Sequence, residues 1–502
     1  MSKKESKQNS ISRRNFIGIT ATTGAAFTIL PSFVVSGLGH KAPSDKLNIA
    51  GIGIGGKGAV NIATMSTENI VALCDVDWDY SKNTFAKYPS TKKYWDYRKM
   101  FDEMGKDIDA VMIATADHTH AIIAADAMVL GKHVFCQKPL THSVYESRLL
   151  TQLAQKYKVA TQMGHQGSSS PEVRTIREWI ANGEIGEVTE AHAWTNRPLW
   201  PQGLTRPAEE MEIPDTLNWD LFIGPAKMRP YNRAYHPWDW RGWWDFGTGA
   251  LGDMACHILD PIYSGLELGY PTEVEGSSTA INTDGAPQAQ IVEYTFPQRK
   301  SSKNKKLPEV KVTWYDGGLM PRRPKELADG VPLMEDDMGA CLIVGTKDKL
   351  MCNLAGIKPR LLSGRVPKVA ETLRRIPGYK VGGIDDVPHA QDWIRACKES
   401  LESRIQSTAN FDYAGPFNEM VVMGVLAVRL QALNRVLKWD GENMRFTNIS
   451  DTDELPVTTV GEYTVKDGHP SFGTKTERLN AKKTVEEFIK HNYRNGWNLP
   501  TV

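Results

Sequence analysis

The sequence predicts an α/β protein of two unlike halves. A strand, a glycine-rich loop and a helix follow one another near residue 50, and strands alternate with helical segments from there to residue 167. Beyond that point the periodicity changes to longer strand-like runs with a few long helices. Regular βα alternation is the mark of a parallel sheet with helices on its faces, and the change marks a second domain. A chain of 502 residues can bury several domain cores, and 41% hydrophobic with 24% charged residues excludes a largely disordered or fibrous protein.

Charge narrows the partners. Lys and Arg total 60 against 59 Asp and Glu, and without residues 1–40 the balance is 55 against 58. A mildly acidic body offers no basic groove, so nucleic acid is not an expected partner. The six cysteines (74, 136, 256, 341, 352 and 397) include no CxxC pair, so no zinc site or disulfide framework is predicted, and buried thiols are. No metal site is expected.

Residues 1–42 read as a targeting segment. Ser12-Arg13-Arg14-Asn15-Phe16-Ile17 precedes a weakly apolar stretch, Phe16–Val35, broken by Thr, Gly, Pro and Ser. That is too polar for a membrane span and has the form of a twin-arginine export signal cut near 36–43. A periplasmic location follows as an expectation. No other stretch approaches 18 apolar residues, so no membrane span is expected in the mature protein.

Leu47–Ala50 reads as a short buried strand running into Gly51-Ile52-Gly53-Ile54-Gly55-Gly56-Lys57-Gly58, with a helix from Ala59 to Met65. Gly51, Gly53 and Gly56 fit G-x-G-x-x-G, in which glycines permit a tight turn, close approach of backbone to a pyrophosphate, and close helix–strand packing. Gly51, Gly53, Ile54, Gly55 and Gly56 are therefore candidate cofactor contacts. A second strand, Ile70–Cys74, ends at Asp75, 19 residues after Gly56. A carboxylate there can accept from ribose hydroxyls and would repel a 2′-phosphate, which favours NAD over NADP. Residues 43–167 are thus a Rossmann domain. Later strands, Ala110–Ala114, His133–Cys136 and Val159–Met163, deliver their following loops to the same rim. Those loops add Thr115, Asp117, His118, His120, Gln137, Lys138 and Gln166 to the cofactor candidates.

In the second half, Pro171–Asn182 reads as an amphipathic helix capped by Ser169 or Ser170 and stopped by Gly183. Strand-like runs follow at 187–195, 273–283, 290–296, 309–314 and 341–345. Residues 301–306 read as an exposed hairpin tip. Pro388–Glu402 and Phe417–Leu437 read as long helices covering the sheet. Seven of the 14 Trp fall between 194 and 244, interleaved with Arg197, Arg233, His236, Asp239 and Arg241. Any single Trp is better read as core, but the cluster reads as a polar-aromatic pocket whose ring faces suit the C–H face of a sugar. Arg197, Trp240, Arg241 and Trp243 are the substrate candidates. The helix opened by Gly249 carries Asp253, His257 and Asp260 on one face, so two carboxylates flank an imidazole, can set its tautomer and raise its pKa. The same spacing could hold a metal only weakly.

Taken together, GIGIGGKG, Asp75, ATADHTHA, CQKPL and GTGALGDMACHILD (247–260) resemble the Gfo/Idh/MocA family from about 46 to 450. The resemblance implies NAD(P)-dependent sugar or polyol oxidoreductases, with the Rossmann domain followed by an α+β substrate domain (168–450) built on a large, mostly antiparallel sheet. It also implies a homo-oligomer, dimer or tetramer, and an exported branch from glycan-degrading bacteria. It assigns Lys138, Asp253 and His257 to the reacting hydroxyl. One departure is Gln137, where the family usually has Glu. Residues 451–502 lie beyond the family core, as a tail packed on the surface or on a neighbouring subunit.

The expected chemistry is oxidation of a ring hydroxyl: His257 takes the proton, also touching substrate, Asp253 orients it, and Lys138 stabilises the developing oxyanion. A small carbohydrate is the expected substrate, with 3-keto sugar chemistry and a tightly held NAD, because an exported protein must carry its cofactor with it. The alternative is redox-neutral glycoside cleavage by transient oxidation, elimination, hydration and re-reduction. A catalytically idle sugar-binding protein fits the complete Lys138/Asp253/His257 set poorly.

Overall fold

The chain from Leu47 folds around a central strand, β1 (Asn48–Ile52), so apolar and small that four of its five residues are fully buried. The computed structural model describes residues 45–335 and 338–502; the export signal expected over 1–42 lies outside the described residues. After β1 come α1 (Gly56–Thr64), β2 (Asn69–Cys74), α2 (Lys82–Lys87), β3 (Lys92–Tyr94), α3 (Tyr97–Met104), β4 (Ala110–Ile113), α4 (Asp117–Val129), β5 (His133–Cys136), α5 (Val144–Tyr157) and β6 (Thr161–Met163). The strands form one parallel sheet in the order β3-β2-β1-β4-β5-β6. Strand order reverses between β1 and β4, and a crevice opens at the carboxyl ends of strands at such a point. Local signals set the helix starts. Asp96 caps α3 by accepting from Arg98 N at 2.9 Å, and Ser143 and Glu146 close a capping box on α5.

The second half begins with α6 (Pro171–Ala181). Ser170, not Ser169, is its cap, accepting from Val173 N at 3.1 Å, with Pro171 in the first turn where no N–H is needed. Strand β7 (Val188–Trp194) follows, then α7 (Trp219–Ile223), α8 (Gly249–Ile258) and α9 (Asp260–Gly265). The remaining sheet strands are β8 (Glu273–Ser278), β9 (Gln290–Phe296), β10 (Val310–Tyr315), β11 (Ala340–Gly345), β12 (Lys349–Asn353), β13 (Arg360–Leu361), β14 (Leu437–Asp440) and β15 (Arg445–Phe446). They form a nine-stranded sheet in the order β13-β12-β11-β7-β10-β9-β8-β14-β15, in which only β7 and β10 run parallel. The mostly antiparallel sheet is as the resemblance implies.

Two long helices tie the halves together. The helix expected over 388–402 is α10 (Asp386–Lys398), and it covers the parallel sheet rather than the second one. Its Trp393 is fully buried against Phe135 of β5 at 5.7 Å and donates to Ala160 O at 3.2 Å. The helix expected over 417–437 starts earlier and ends earlier, as α11 (Phe411–Arg429), because Asn410 caps it. It is apolar nearly all round, as suits a helix packed on α5 and α8 of the two halves and on β8. Residues 451–502 form a hairpin, β16 (Glu454–Lys466) and β17 (His469–Asn480), then α12 (Ala481–Ile489) and an irregular end. All six cysteines are buried thiols, and among the described residues no helix is long and apolar enough to cross a membrane.

If α10 belongs to the first half's core, Trp393→Ala should cost about 3–5 kcal/mol, the usual penalty for truncating a fully buried aromatic. Chemical denaturation measures this. A loss below about 1 kcal/mol would show that α10 is not held by that core.

Candidate active site

A cavity of about 530 Å³ lies at the carboxyl ends of β1 and β4 and is lined by both halves. That volume suits a bound small molecule or cofactor. Its floor is the glycine loop. Gly53 adopts φ +73°, and a Cβ on it would lie 2.7 Å from Thr115 N, so only glycine fits the turn. The close helix–strand packing falls to Gly58, whose Cβ would sit 1.8 Å from Gly53 O. Sequence reading assigned that role to Gly56. Asp75 Oδ2 accepts from Ile54 N at 2.8 Å and Gly55 N at 3.0 Å, and Oδ1 accepts from Asp77 N at 2.9 Å. Burial raises its pKa to about 6, against the lowering effect of these backbone donors. The Tyr80 ring lies over Gly55 and Gly56, leaving no room for a side chain on either. A bare backbone loop at the start of α1, with a carboxylate ending β2, fits a dinucleotide.

The other end of the cavity is charged. Lys138, just after β5, donates from Nζ to both Asp253 Oδ1 and Asp253 O at 2.7 Å. Arg241 Nε donates to the same carboxylate at 3.3 Å, and its guanidinium stacks 4.0 Å from Trp238 and 4.3 Å from Trp240. Burial alone would raise the pKa of Asp253, but Lys138 and Arg241 outweigh it and hold the carboxyl at about 2. One turn along α8, His257 lines the same cavity, with Nδ1 buried and unpartnered.

The structure brings most of the candidates together. Gly53, Gly55, Gly56, Asp75, Thr115, His118, Gln137, Lys138 and Gln166 line the cavity, as do Arg197, Trp240, Arg241, Asp253 and His257. Gln137 Nε2 donates to Asn61 Oδ1 at 2.8 Å, a neutral pairing inside the first half, and the Gln166 amide donates to Asp386 of α10.

Other expectations are corrected. Gly51 and Ile54 are packed into the core beneath the loop, where a Cβ on Gly51 would meet Ile54, Leu73 and Ile62. Asp117 and His120 are off the cavity wall. Asp117 accepts from Thr248 Oγ1 at 2.7 Å, which fixes the start of α8, and burial raises its pKa to about 7. The His120 ring nitrogens face Pro139 O at 2.8 Å and Thr115 O at 3.0 Å, and burial lowers its pKa to about 4. His118 is on the wall, but its nitrogens face Phe222 O and Phe246 O, so this turn of α4 braces the two halves. Trp243 is core, donating to Ala234 O at 2.7 Å. Asp260 does not flank His257: the chain starts a new helix at that residue, and its carboxylate meets His165 and Tyr413. The pKa of His257 is accordingly lowered rather than raised, because burial and the Lys138 charge outweigh Asp253.

Sequence reading missed the mouth of the cavity. Leu199, Met338 and Ile384 are exposed apolar residues on its lining from three separate segments, beside Trp238 of the tryptophan cluster, which the sequence already assigns to a pocket. It also missed Tyr80 and Trp497, which line the cavity from outside every motif.

Comparisons with known proteins agree with this geometry. Residues 46–165 match the Gfo/Idh/MocA profile described as an oxidoreductase family with an NAD-binding Rossmann fold, and residues 172–300 match the family's C-terminal alpha/beta domain. The chain is 27% identical over 170 residues to levoglucosan dehydrogenase of Pseudarthrobacter phenanthrenivorans, covering 33% of this chain and 34% of that protein. It is 30% identical over 151 residues to inositol 2-dehydrogenase of Salmonella typhimurium, covering 29% and 44%. It is 25% identical over 168 residues to Glycosyl hydrolase family 109 protein 1 of Akkermansia muciniphila, covering 31% and 34%. The chain thus spans between about a third and a half of each of these relatives. Among solved structures, an oxidoreductase domain protein from Kribbella flavida superposes with TM-score 0.51 at 18% identity, over 78% of this chain and 99% of that one, which shows a shared fold. The chain belongs to the Gfo/Idh/MocA family of oxidoreductases, with an NAD-binding Rossmann domain followed by the family's C-terminal α/β domain.

Proposed function

We propose that this protein oxidises and reduces a ring hydroxyl of a sugar or glycoside, through a 3-keto sugar, with a tightly held NAD. One observation carries the reading: a single cavity has the glycine loop and Asp75 at one end and Lys138, Asp253 and His257 at the other. Relatives named for levoglucosan and inositol support a sugar or polyol substrate. The Asp75 carboxyl beside the loop, which accepts from Ile54 N and Gly55 N, supports NAD over NADP.

NAD, when bound, supplies the acceptor for the hydride leaving the carbinol carbon. The rest falls to the chain. His257 is neutral at ordinary pH, since burial and Lys138 hold its pKa well below 6.5, so it is ready to take the hydroxyl proton. Nε2 is the nitrogen for that, because Nδ1 is sealed from solvent. Asp253, ionised at any pH well above 2, then stabilises the imidazolium. Lys138 has three N–H donors and spends two on Asp253, which leaves one for the developing alkoxide. The stacked Trp238, Arg241 and Trp240 form a wall suited to a sugar ring.

The match to a family 109 glycosyl hydrolase favours a second reading on the same residues. There the ketone acidifies the neighbouring C–H, His257 or Lys138 assists loss of the glycosidic group, water adds, and the hydride returns. Export through the twin-arginine route, read from residues 12–17, supports either version, because a protein exported folded can carry NAD with it.

Lys138→Ala and His257→Ala should each retain bound NAD and lose about 10²–10⁴ in turnover, the usual size of one general acid–base contribution. Wild-type turnover of a glycoside by His257→Ala would show that another group is the base.

Protein purified without added cofactor should carry NAD, and, once stripped, should bind NAD more tightly than NADP. Given simple glycosides, nicotinamide reduction should stop after about one equivalent unless a keto-sugar acceptor is added. In redox-neutral cleavage no lasting reduction appears, and solvent deuterium enters the carbon beside the oxidised one. Repeated turnover driven by freely exchanging NAD would contradict both versions.

A further inference from the structure

We propose that the C-terminal segment completes the cofactor site, with Trp497 forming a wall for the adenine ring and clasping the adenosine end of the cleft so that the nucleotide leaves slowly. The proposal rests on the NAD reading above and adds to it a part of the chain that lies well beyond residue 300, where the matched C-terminal domain profile ends.

Trp497 lies near the end of an irregular stretch, yet is only 6% exposed and lines the same cavity as Gly53 and Asp75. Val76, Trp95, Tyr97 and Leu221 line the cavity with it, together with Asp96, whose carboxylate is paired with Arg98. Trp95 and Tyr97 follow β3, the strand beyond β2 in the sheet. In a Rossmann crevice the carboxylate ending β2 marks the ribose, so this side receives the base. An adenine ring is flat and weakly polar, and an indole gives it a stacking face at little entropic cost.

The indole is held in place from several directions. The Arg98 guanidinium sits 4.3 Å from its centroid, and Arg98 is itself fixed by Asp96 at 2.7 Å. Trp497 N donates to Arg494 O at 3.1 Å. Arg494 in turn donates to the Asp220 carboxylate at 2.8 Å, to Asp220 O at 2.7 Å, and from its backbone N to Pro225 O at 3.1 Å. Upstream, Tyr493 Oη donates to Glu146 Oε1 at 2.8 Å, and the His491 ring meets the His142 ring, Nδ1 to Nδ1, at 3.2 Å. These anchors sit on α5, its approach and the α7 turn, so the segment crosses the cleft wall as a strap rather than hanging from its own hairpin. Ordering a terminal stretch costs conformational entropy, and this many specific contacts offsets it.

The test loads holo-protein with isotope-labelled NAD and follows its release into excess unlabelled NAD by mass spectrometry. Wild type, Trp497→Ala, Trp497→Phe and Arg494→Ala are compared, with thermal melts confirming that each is folded. Trp497→Ala should release NAD about tenfold faster or more, the scale of one lost base–aromatic contact. Trp497→Phe should stay close to wild type, and Arg494→Ala, which only unties the strap, should also release faster. Release from folded Trp497→Ala within about twofold of wild type would overturn the clasp while leaving the NAD reading intact. Failure of the wild type itself to hold NAD would overturn the NAD reading, and the clasp with it.

Discussion

The Lys138–Asp253 pair is the interaction on which the rest of the site depends. Lys138 lies two residues past β5 of the parallel sheet, and Asp253 lies on α8 of the second half, so one partly buried ion pair joins the halves on the cavity wall. A pair withdrawn from water is weak evidence for stability, because desolvation consumes much of its Coulombic gain. Breaking it is costly all the same, since Lys138 without Asp253 would lose the carboxylate it pairs with, and Asp253 without Lys138 would keep only Arg241. Here it does more than join. It spends two of the three lysine donors on Asp253 and places a cation that, after burial, lowers the pKa of His257.

Around this pair the fold is arranged to hold α8 in one place. Thr248, ahead of α8, donates to buried Asp117, and His118 and His120 bond carbonyls on both sides of the crevice. These α4 residues were read from sequence as cofactor contacts. They form the first turn of α4 rather than a loop, and the polar atoms of Asp117 and His118 are taken up by the junction between halves, while His120 bonds carbonyls of its own half. Spacing gives the segment, and nothing in its own residues says that a second domain will consume two of them.

The same distinction decides how much was legible. The strand–glycine loop–helix unit and Asp75 were readable because each is a local pattern with a physical reason, and helical spacing placed Asp253 and His257 on one face, whereas Lys138 and the pairing of these three residues came from the family resemblance. What escaped were contacts between remote segments. Asp260 was expected to flank His257 by helical spacing, but Pro261 restarts the helix there and turns the carboxylate to His165. Trp243 belonged to a suggestive tryptophan cluster and is core. The helix α10 returns to the first sheet some 220 residues after that sheet ends, and Trp497 later still. No periodicity carries that information.

The central claim is that Asp253 organises Lys138 and His257 for proton removal and does not merely hold two domains together. Asp253→Asn keeps the shape and a hydrogen-bond acceptor while removing the charge. The decisive measurement is a single turnover of this variant, loaded with NAD and mixed with a glycoside that the wild type oxidises, read as nicotinamide absorbance. The account predicts retained NAD and a rate lower by about a hundredfold or more, since the imidazolium loses its counter-charge and the lysine its anchor. A rate within about threefold of wild type would contradict it.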